Sequence, residues 1–499
     1  MAFEILPASM LVGLAPQVAI DAYGLKVQGY AALIEAQPES PISYEVPEAF
    51  AIPNRLHGGY AERDVHDVFE KLTDGLNQPS VLMARSSASD EEPGQNESRM
   101  VAFRPTDRPA SARRFAEAVD QVLQASGRMG VLASRMVGEY GVLPGNREGF
   151  GFRNISFVAD SHSAFKQGEM NFAFVHGLGT RAVEAGDEAI LVTTDRKTGK
   201  ITHFGNKSEG MMLESTGSTQ VAMHCGHYRQ QEFDYFDFET DGVATLKFNQ
   251  TLFELLRGAI LGIDFRNDRM VNLVSQHHDA LLCLTPFERS EIFYDLVGIL
   301  NYLEGKIGPV QIEGARLHAA SSQIYLYQSL PVPLLAVDPK PIEIKNPVWK
   351  SDKVIGRGDI RAPLVWWDSS VAYIGAEESK ALQEMDKRFA DSDYILLAKL
   401  HPQKLIANTP HARWRLSILT ENASSHAATL ARLYINGGDN DILGMNAEDC
   451  LRNKKPPPDF RRGPFHVWNK AHLESNGAEL AVEVKAKRIS WVKHLLGIS

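Results

Sequence analysis

At 499 residues the chain has room for two to four domains and ample length to bury real cores. Its composition, 44% apolar and 23% charged, is ordinary for a soluble globular protein, and a formal charge of −10 argues against nucleic acid or an anionic membrane as the main partner. The three cysteines, Cys225, Cys283 and Cys450, lie far apart without a CxxC pair, which suggests a reducing compartment and no disulfide framework.

The N-terminus, Met1-Ala-Phe-Glu-Ile-Leu-Pro7, has no basic region ahead of its apolar residues, and no apolar run is long enough for a bilayer. A cytoplasmic location is expected. The first clear element is a helix over Lys26–Ala36, with Val27, Tyr30, Ala31, Leu33 and Ile34 on its apolar positions. A short strand, Ser80–Ala84, runs into Arg85-Ser-Ser-Ala-Ser89. Ala112–Ser126 reads as a helix and Met129–Val137 as a strand. Residues 150–250 alternate strand patterns with turns such as Asp160-Ser-His-Ser163 and Asp195-Arg-Lys-Thr-Gly199. Within them, Phe233-Asp-Tyr-Phe-Asp-Phe238 alternates aromatic residues as a core strand does.

Thr285-Pro-Phe-Glu288 has the threonine, first-turn proline and third-position glutamate of a capping box. The helix it opens carries Phe293, Leu296, Ile299 and Leu300 on one face and ends near Lys306. Strands follow at Val310–Ile312 and Gln323–Tyr327, then the prolines of Pro331-Val-Pro333 and Pro339-Lys-Pro341. Such a cluster makes a semi-rigid spacer, so the main domain boundary is placed at about residue 340. Beyond it an α/β domain is expected, with an irregular connection at Lys454-Lys-Pro-Pro-Pro458 and a short amphipathic helix at Trp491-Val-Lys-His-Leu-Leu-Gly497.

The most informative stretch lies in that second part: Thr420-Glu-Asn-Ala-Ser-Ser-His-Ala-Ala-Thr-Leu-Ala-Arg432. An apolar run ending at Leu419 leads into small polar residues, and a helix-forming run follows His426. A strand–turn–helix of this kind holds an imidazole at a helix start, where bare backbone N–H groups and the helix dipole favour an anion. An imidazole held there can attack a phosphoryl group and keep it. The segment resembles the phosphohistidine motif Thr-x-x-x-x-Ser-His-Ala-Ala-x-x-Ala-Arg of phosphoenolpyruvate synthases and pyruvate phosphate dikinases.

The first 330 residues resemble the same superfamily in order. Gly24-Leu-Lys-Val-Gln-Gly-Tyr-Ala-Ala-Leu33 is similar to its Gly-x-Lys-x-x-x-x-x-Leu segment, and Val81-Leu-Met-Ala-Arg-Ser-Ser-Ala88 to its Val-x-x-Arg-Ser-Ser-Ala. By that resemblance Lys26 contacts nucleotide phosphates and Arg85 clamps phosphate oxygens. Gly177-Leu-Gly179 resembles the family's Gly-Leu-Gly-Glu, where glycines let backbone approach a ligand. Gln311-Ile-Glu-Gly-Ala315 and Gln323-Ile-Tyr-Leu-Tyr-Gln-Ser-Leu-Pro331 resemble paired strands Asp-Ile-Glu-x-Ala and Ile-x-x-Leu-Gln-x-Arg-Pro. Adjacent strands bring Glu313 and Gln328 together, and oxygen ligands of this type suit Mg²⁺ on nucleotide phosphates.

The resemblance implies an α/β (α+β) protein with two domains. Residues 1–335 form an ATP-grasp-like nucleotide-binding domain, and residues 340–499 a phosphohistidine swivelling domain. It further implies an ATP- and Mg²⁺-dependent phosphotransferase that moves the β-phosphate through His426 and releases AMP. The pyruvate-binding barrel of the full dikinases is not expected in this chain. The acceptor is then a small molecule or a protein, and a separate pyruvate- or phosphoenolpyruvate-binding subunit is one candidate.

The chain departs from the pattern at four places. Leu330 replaces an arginine, Ser134-Arg-Met-Val137 replaces Gln-Glu-Met-Val, Thr180 replaces a glutamate, and Asn422-Ala423 stands where many relatives have Gly-Gly. Leu330 and Arg135 favour a rival reading, a non-catalytic regulatory nucleotide binder, which the intact His426 segment opposes. An ATP-dependent condensing enzyme is a third. Met223-His-Cys-Gly-His227 and His277-His278 carry zinc-capable side chains without the spacing of a zinc motif, and read as hydrogen-bonded histidines.

Overall fold

A computed structural model describes residues 4–53, 62–88, 98–125, 130–143, 146–163, 168–179, 190–197, 201–205, 213–215, 221–224, 232–247, 260–264, 269–275, 281–284, 292–317, 323–332, 334, 340–351, 354–355, 357–367, 387, 394–398, 414–419, 444–445, 460–462 and 465–484. The protein is α+β, with helices and several antiparallel sheets. It divides into two compact units, the first comprising Met1–Ser163 and Gly168–Val332, the second Pro333–Ser499. The division falls at the first residues of the proline-rich stretch.

Two sheets organise the first unit. One has the order Leu6–Pro7, Ala49–Ile52, Gly130–Arg135, Ser80–Ser87, Ser98–Phe103, every pair antiparallel. Strand alternation sends Leu82 and Ala84 to one face, where they pack with Phe69 and Phe115 of helices Glu62–Thr73 and Arg108–Ala125. Met83 and Arg85 point the opposite way, into a cavity.

The second sheet runs Ile201–Gly205, Ile190–Asp195, Glu169–His176, Ile155–Asp160, Val310–Arg316, Ile324–Pro331, again antiparallel throughout. Its Ile312, Ala159 and Phe172 bury against Leu296, Ile299 and Leu300 of helix Ile292–Ile307. Glu313, Val158 and Ser156 line the cavity from the other face. Smaller antiparallel sheets are built from Tyr140–Leu143, Arg147–Phe150, Glu232–Asp237 and Gly242–Lys247, and from five strands between Leu213 and Leu284.

Several elements extend beyond their sequence signal. The Ser80 strand continues through Arg85 to Ser87, and the paired strands reach Arg316 and Pro331, because ladder partners carry them past their apolar cores. The expected 112–126 helix begins at Arg108, after the short 3₁₀ turn Pro105–Asp107. Tyr235, Phe236 and Phe238 are buried, as the aromatic alternation suggested, but so are Asp234 and Asp237 between them. The Thr285–Glu288 cap and the C-terminal amphipathic segment lie outside the described residues.

Helix Leu25–Ala36 joins the two sheets. Its Val27, Tyr30 and Ala31 pack on Ala49, Ala51 and Leu132 of the first sheet, while Leu33 and Ala36 reach the core of the second. Two glycines permit that approach. At Gly24, φ is +89° and an added Cβ would stand 2.2 Å from the Ser87 carbonyl oxygen; at Gly29 it would stand 2.1 Å from that of Ser329.

In the second unit a mixed sheet surrounds strand Arg357–Trp367, which is antiparallel to Phe465–Asn476 and parallel to Tyr394–Ala398. Trp414–Leu419 continues the parallel set, followed by Gly444–Met445. Trp349 stacks on Trp366 at 5.8 Å and meets Trp468 edge-on at 5.5 Å, filling this core.

Because backbone oxygens cannot retreat, Gly24→Ala and Gly29→Ala should each destabilise the protein by roughly 2–4 kcal/mol. Denaturant unfolding checks this; an unchanged midpoint would mean that the helix does not sit against these strands.

Candidate functional site: a cavity between two sheets

Arg85 reaches the cavity from the first sheet and Glu313 from the second, although 228 residues separate them in the chain. Arg85 Nη2 donates to Glu313 Oε2 at 3.4 Å, with side chains only 13% and 9% exposed. Gln328 Nε2 donates to the other carboxylate oxygen, Oε1, at 2.9 Å. The two are register partners on adjacent strands, the juxtaposition the sequence pattern implied.

The register slips immediately after this pair, where Glu313 faces Gln328 but Gly314 faces Leu326. Tyr327 is therefore the extra residue of a β-bulge, with nothing opposite it in the ladder. Its carbonyl oxygen instead accepts Arg85 Nη1 at 3.1 Å, and its ring lies under the guanidinium, 5.4 Å from Cζ. The Tyr327 hydroxyl donates to Gly314 O at 3.1 Å. Burial pushes the phenol's pKa up and Glu313 adds to this, outweighing the opposing pull of Arg85 and Ser156, so the hydroxyl stays protonated as a donor.

Gly179 contributes backbone to the cavity, close to the Tyr327 hydroxyl and Ser156. Met83, Met100, Met136, Val137 and Leu178 supply its apolar wall, a polarisable surface suited to a planar ring. Asn154 anchors one side by donating from Nδ2 to Val137 O at 2.8 Å.

The other expected site residues fall elsewhere. Gly177, at φ +84°, lets the backbone pass Asp234, where a Cβ would sit 2.3 Å from its carbonyl oxygen; it does not line the cavity. Lys26 is half-buried in the first turn of its helix and also lies off the cavity wall. The turn around it is closed by Arg85's own neighbours: Ser87 Oγ accepts the Val27 N–H at 3.1 Å, and Ala88 O accepts the Leu25 N–H at 2.8 Å. Ser87 thus acts as an N-cap from a distant strand. Thr180 and His426 lie outside the described residues, as do the zinc-capable side chains of residues 223–227 and 277–278.

Two departures acquire structural accounts. Arg135 turns its guanidinium to the end of helix Glu62–Thr73, donating from Nε to Leu72 O and from Nη2 to Asp74 O at 3.2 Å. A cation is favourable at that helix terminus. Leu330, 7% exposed, is buried as an apolar side chain ordinarily is. Gln311, where the resembled motif has an aspartate, donates to Asp160 Oδ1 at 2.7 Å across the ladder.

Mg²⁺ takes hard oxygens and completes its shell with water and phosphate. Glu313 offers a carboxylate, and Gln328 a buried Oε1 that has no hydrogen-bond partner. Among the described residues no three His, Cys, Asp or Glu side chains cluster as a metal site. The pair therefore fits a cation that arrives with a polyphosphate better than one held by protein alone. Strand alternation links Met83 to Arg85 and Ala315 to Glu313, but no sequence signal marked Tyr327.

No protein-family model and no curated protein sequence matches this chain. Among the described residues no helix is long and apolar enough to cross a membrane.

Arg135→Ala should lower stability by about 1–2 kcal/mol through loss of the helix-end carbonyl contacts. Chemical denaturation reads it; a neutral result would make the contacts incidental.

Proposed function

We propose that this protein is an ATP-dependent phosphotransferase of the dikinase type, in which an ATP-grasp-like nucleotide unit charges His426 of a phosphohistidine swivelling unit. The observation that carries the reading is the convergence of Arg85, Glu313 and Gly179 on one cavity between two sheets. These are motif residues from three distant stretches, and the motif-bearing segments occur in the order of the superfamily. The reading is supported further by strand Trp414–Leu419, parallel to its neighbour, which leads directly into the His426 segment.

In this scheme the methionine-rich wall receives the base, Arg85 holds phosphate oxygens, and Mg²⁺ on Glu313 and Gln328 offsets phosphate charge. A neutral imidazole has a nitrogen lone pair, and in this scheme that of His426 attacks the β-phosphorus in line. The bond to the leaving AMP breaks as the N–P bond forms, giving a pyrophosphoryl-histidine. Attack of water on the terminal phosphorus breaks the P–O–P bond and releases inorganic phosphate, and domain rotation carries the phosphoryl group left on His426 to its acceptor, a small molecule or a protein. A regulatory nucleotide binder is the second reading, favoured by Leu330, which removes one phosphate clamp.

Incubation with Mg²⁺ and ATP labelled at the β-phosphate should place acid-labile, base-stable label on the protein. His426→Ala should abolish the label and retain ATP binding. Label from the γ-position alone would indicate ordinary kinase chemistry, and no label despite ATP binding would favour the regulatory reading. Label persisting in the variant would remove His426 from the mechanism.

A further inference from the structure

We propose that Arg85 is a phosphate fork masked by Glu313, and that a cation binding to Glu313 unmasks it. The inference rests on the polyphosphate-binding reading of the cavity and adds an order to it: cation and polyphosphate bind together, and neither binds well alone.

A guanidinium has five N–H donors in fixed directions. Arg85 commits Nη1 to the Tyr327 carbonyl at 3.1 Å and rests on the Tyr327 ring. Its Nη2 donates to Glu313 at 3.4 Å, while Nε is buried with no partner. Nε–H and one Nη2–H point to the same side of a guanidinium and form the two-donor edge that matches a phosphate. Glu313 occupies half of that edge and offsets its charge.

The electrostatics follow from this arrangement. A polyphosphate arriving alone meets the Glu313 carboxylate, and a cation arriving alone meets Arg85; both are like-charge encounters in a water-poor site. Arriving together, each meets its opposite. The coupling is reciprocal, so the cation strengthens polyphosphate binding by the same factor as the reverse.

The geometry also lets the mask lift without disturbing the fork. A charge-assisted N–H···O contact is ordinarily about 2.8 Å, so the 3.4 Å separation is a loose one. Glu313 stays tethered through its other oxygen, 2.9 Å from Gln328 Nε2, when it releases Arg85. Arg85 keeps its anchor as well, because that anchor is the backbone of the bulged Tyr327. Tyr327 is accordingly a positioning residue.

The test is calorimetric titration of the full-length protein with pyrophosphate, with and without Mg²⁺. Wild-type protein should bind pyrophosphate about tenfold more tightly with Mg²⁺ present. In Glu313→Gln the shape is kept and the charge removed, so metal-free affinity should rise about tenfold and the Mg²⁺ dependence should largely vanish. Glu313→Ala provides the same comparison should the glutamine variant melt early. Arg85→Lys keeps the charge but loses the fork, and should lose the Mg²⁺-linked gain. Metal-free affinity in both Glu313 variants at or below wild type overturns the proposal, as does absence of pyrophosphate binding in every form. ATP titrated in parallel judges the nucleotide reading separately: ATP binding no tighter than pyrophosphate removes that reading, while the pyrophosphate comparisons alone decide the masked fork.

Discussion

A single bulged residue fixes the relation between the two sheets of the first unit. By adding Tyr327 to one strand without a partner opposite, the chain leaves a carbonyl oxygen outside the ladder and directs it at Arg85 of the other sheet. The guanidinium then lies on the Tyr327 ring and beside Glu313, so both sheets share one charged contact. Burying two opposite charges gains little net stability by itself, because desolvation offsets attraction. Its value here is directional. It sets the Arg85 and Glu313 side chains together at one place on the cavity wall.

Helix Leu25–Ala36 provides the second tie. Two glycines let it touch both sheets through backbone, and Ser87 caps it from the strand that carries Arg85. The Arg-Ser-Ser-Ala run consequently has a double role. Its arginine faces the cavity, and its last serine and alanine complete a helix sixty residues earlier in the chain.

Much of this was legible in the sequence, for identifiable reasons. The resemblance to paired strands placed Glu313 beside Gln328 and gave Arg85 a role on the same phosphates, and helical periodicity found the Lys26 helix within one residue of its start. The bulge was not legible, since one extra residue leaves no trace in an alternating pattern; Tyr327 was therefore missed. Gly177 read as a ligand-approach glycine because both uses demand the same absent Cβ, and only the three-dimensional structure shows the neighbour to be Asp234. Lys26 was assigned to phosphate by motif alone, while the local geometry uses that turn to receive a cap. Arg135 looked like a loss at the site, yet the carbonyls at the end of helix Glu62–Thr73 give its charge a separate purpose.

The tryptophan core of the second unit has an optical consequence. All six tryptophans of the chain, Trp349, Trp366, Trp367, Trp414, Trp468 and Trp491, belong to the second unit, and the first unit has none. Indole emission from this protein is thus a private signal of one unit. Its red shift on denaturation follows the exposure of the stacked Trp349–Trp366–Trp468 core, while the first unit is visible only through its tyrosines. Excitation at the red edge of the indole band, where tyrosine does not absorb, therefore follows the second half of the polypeptide by itself, without a label.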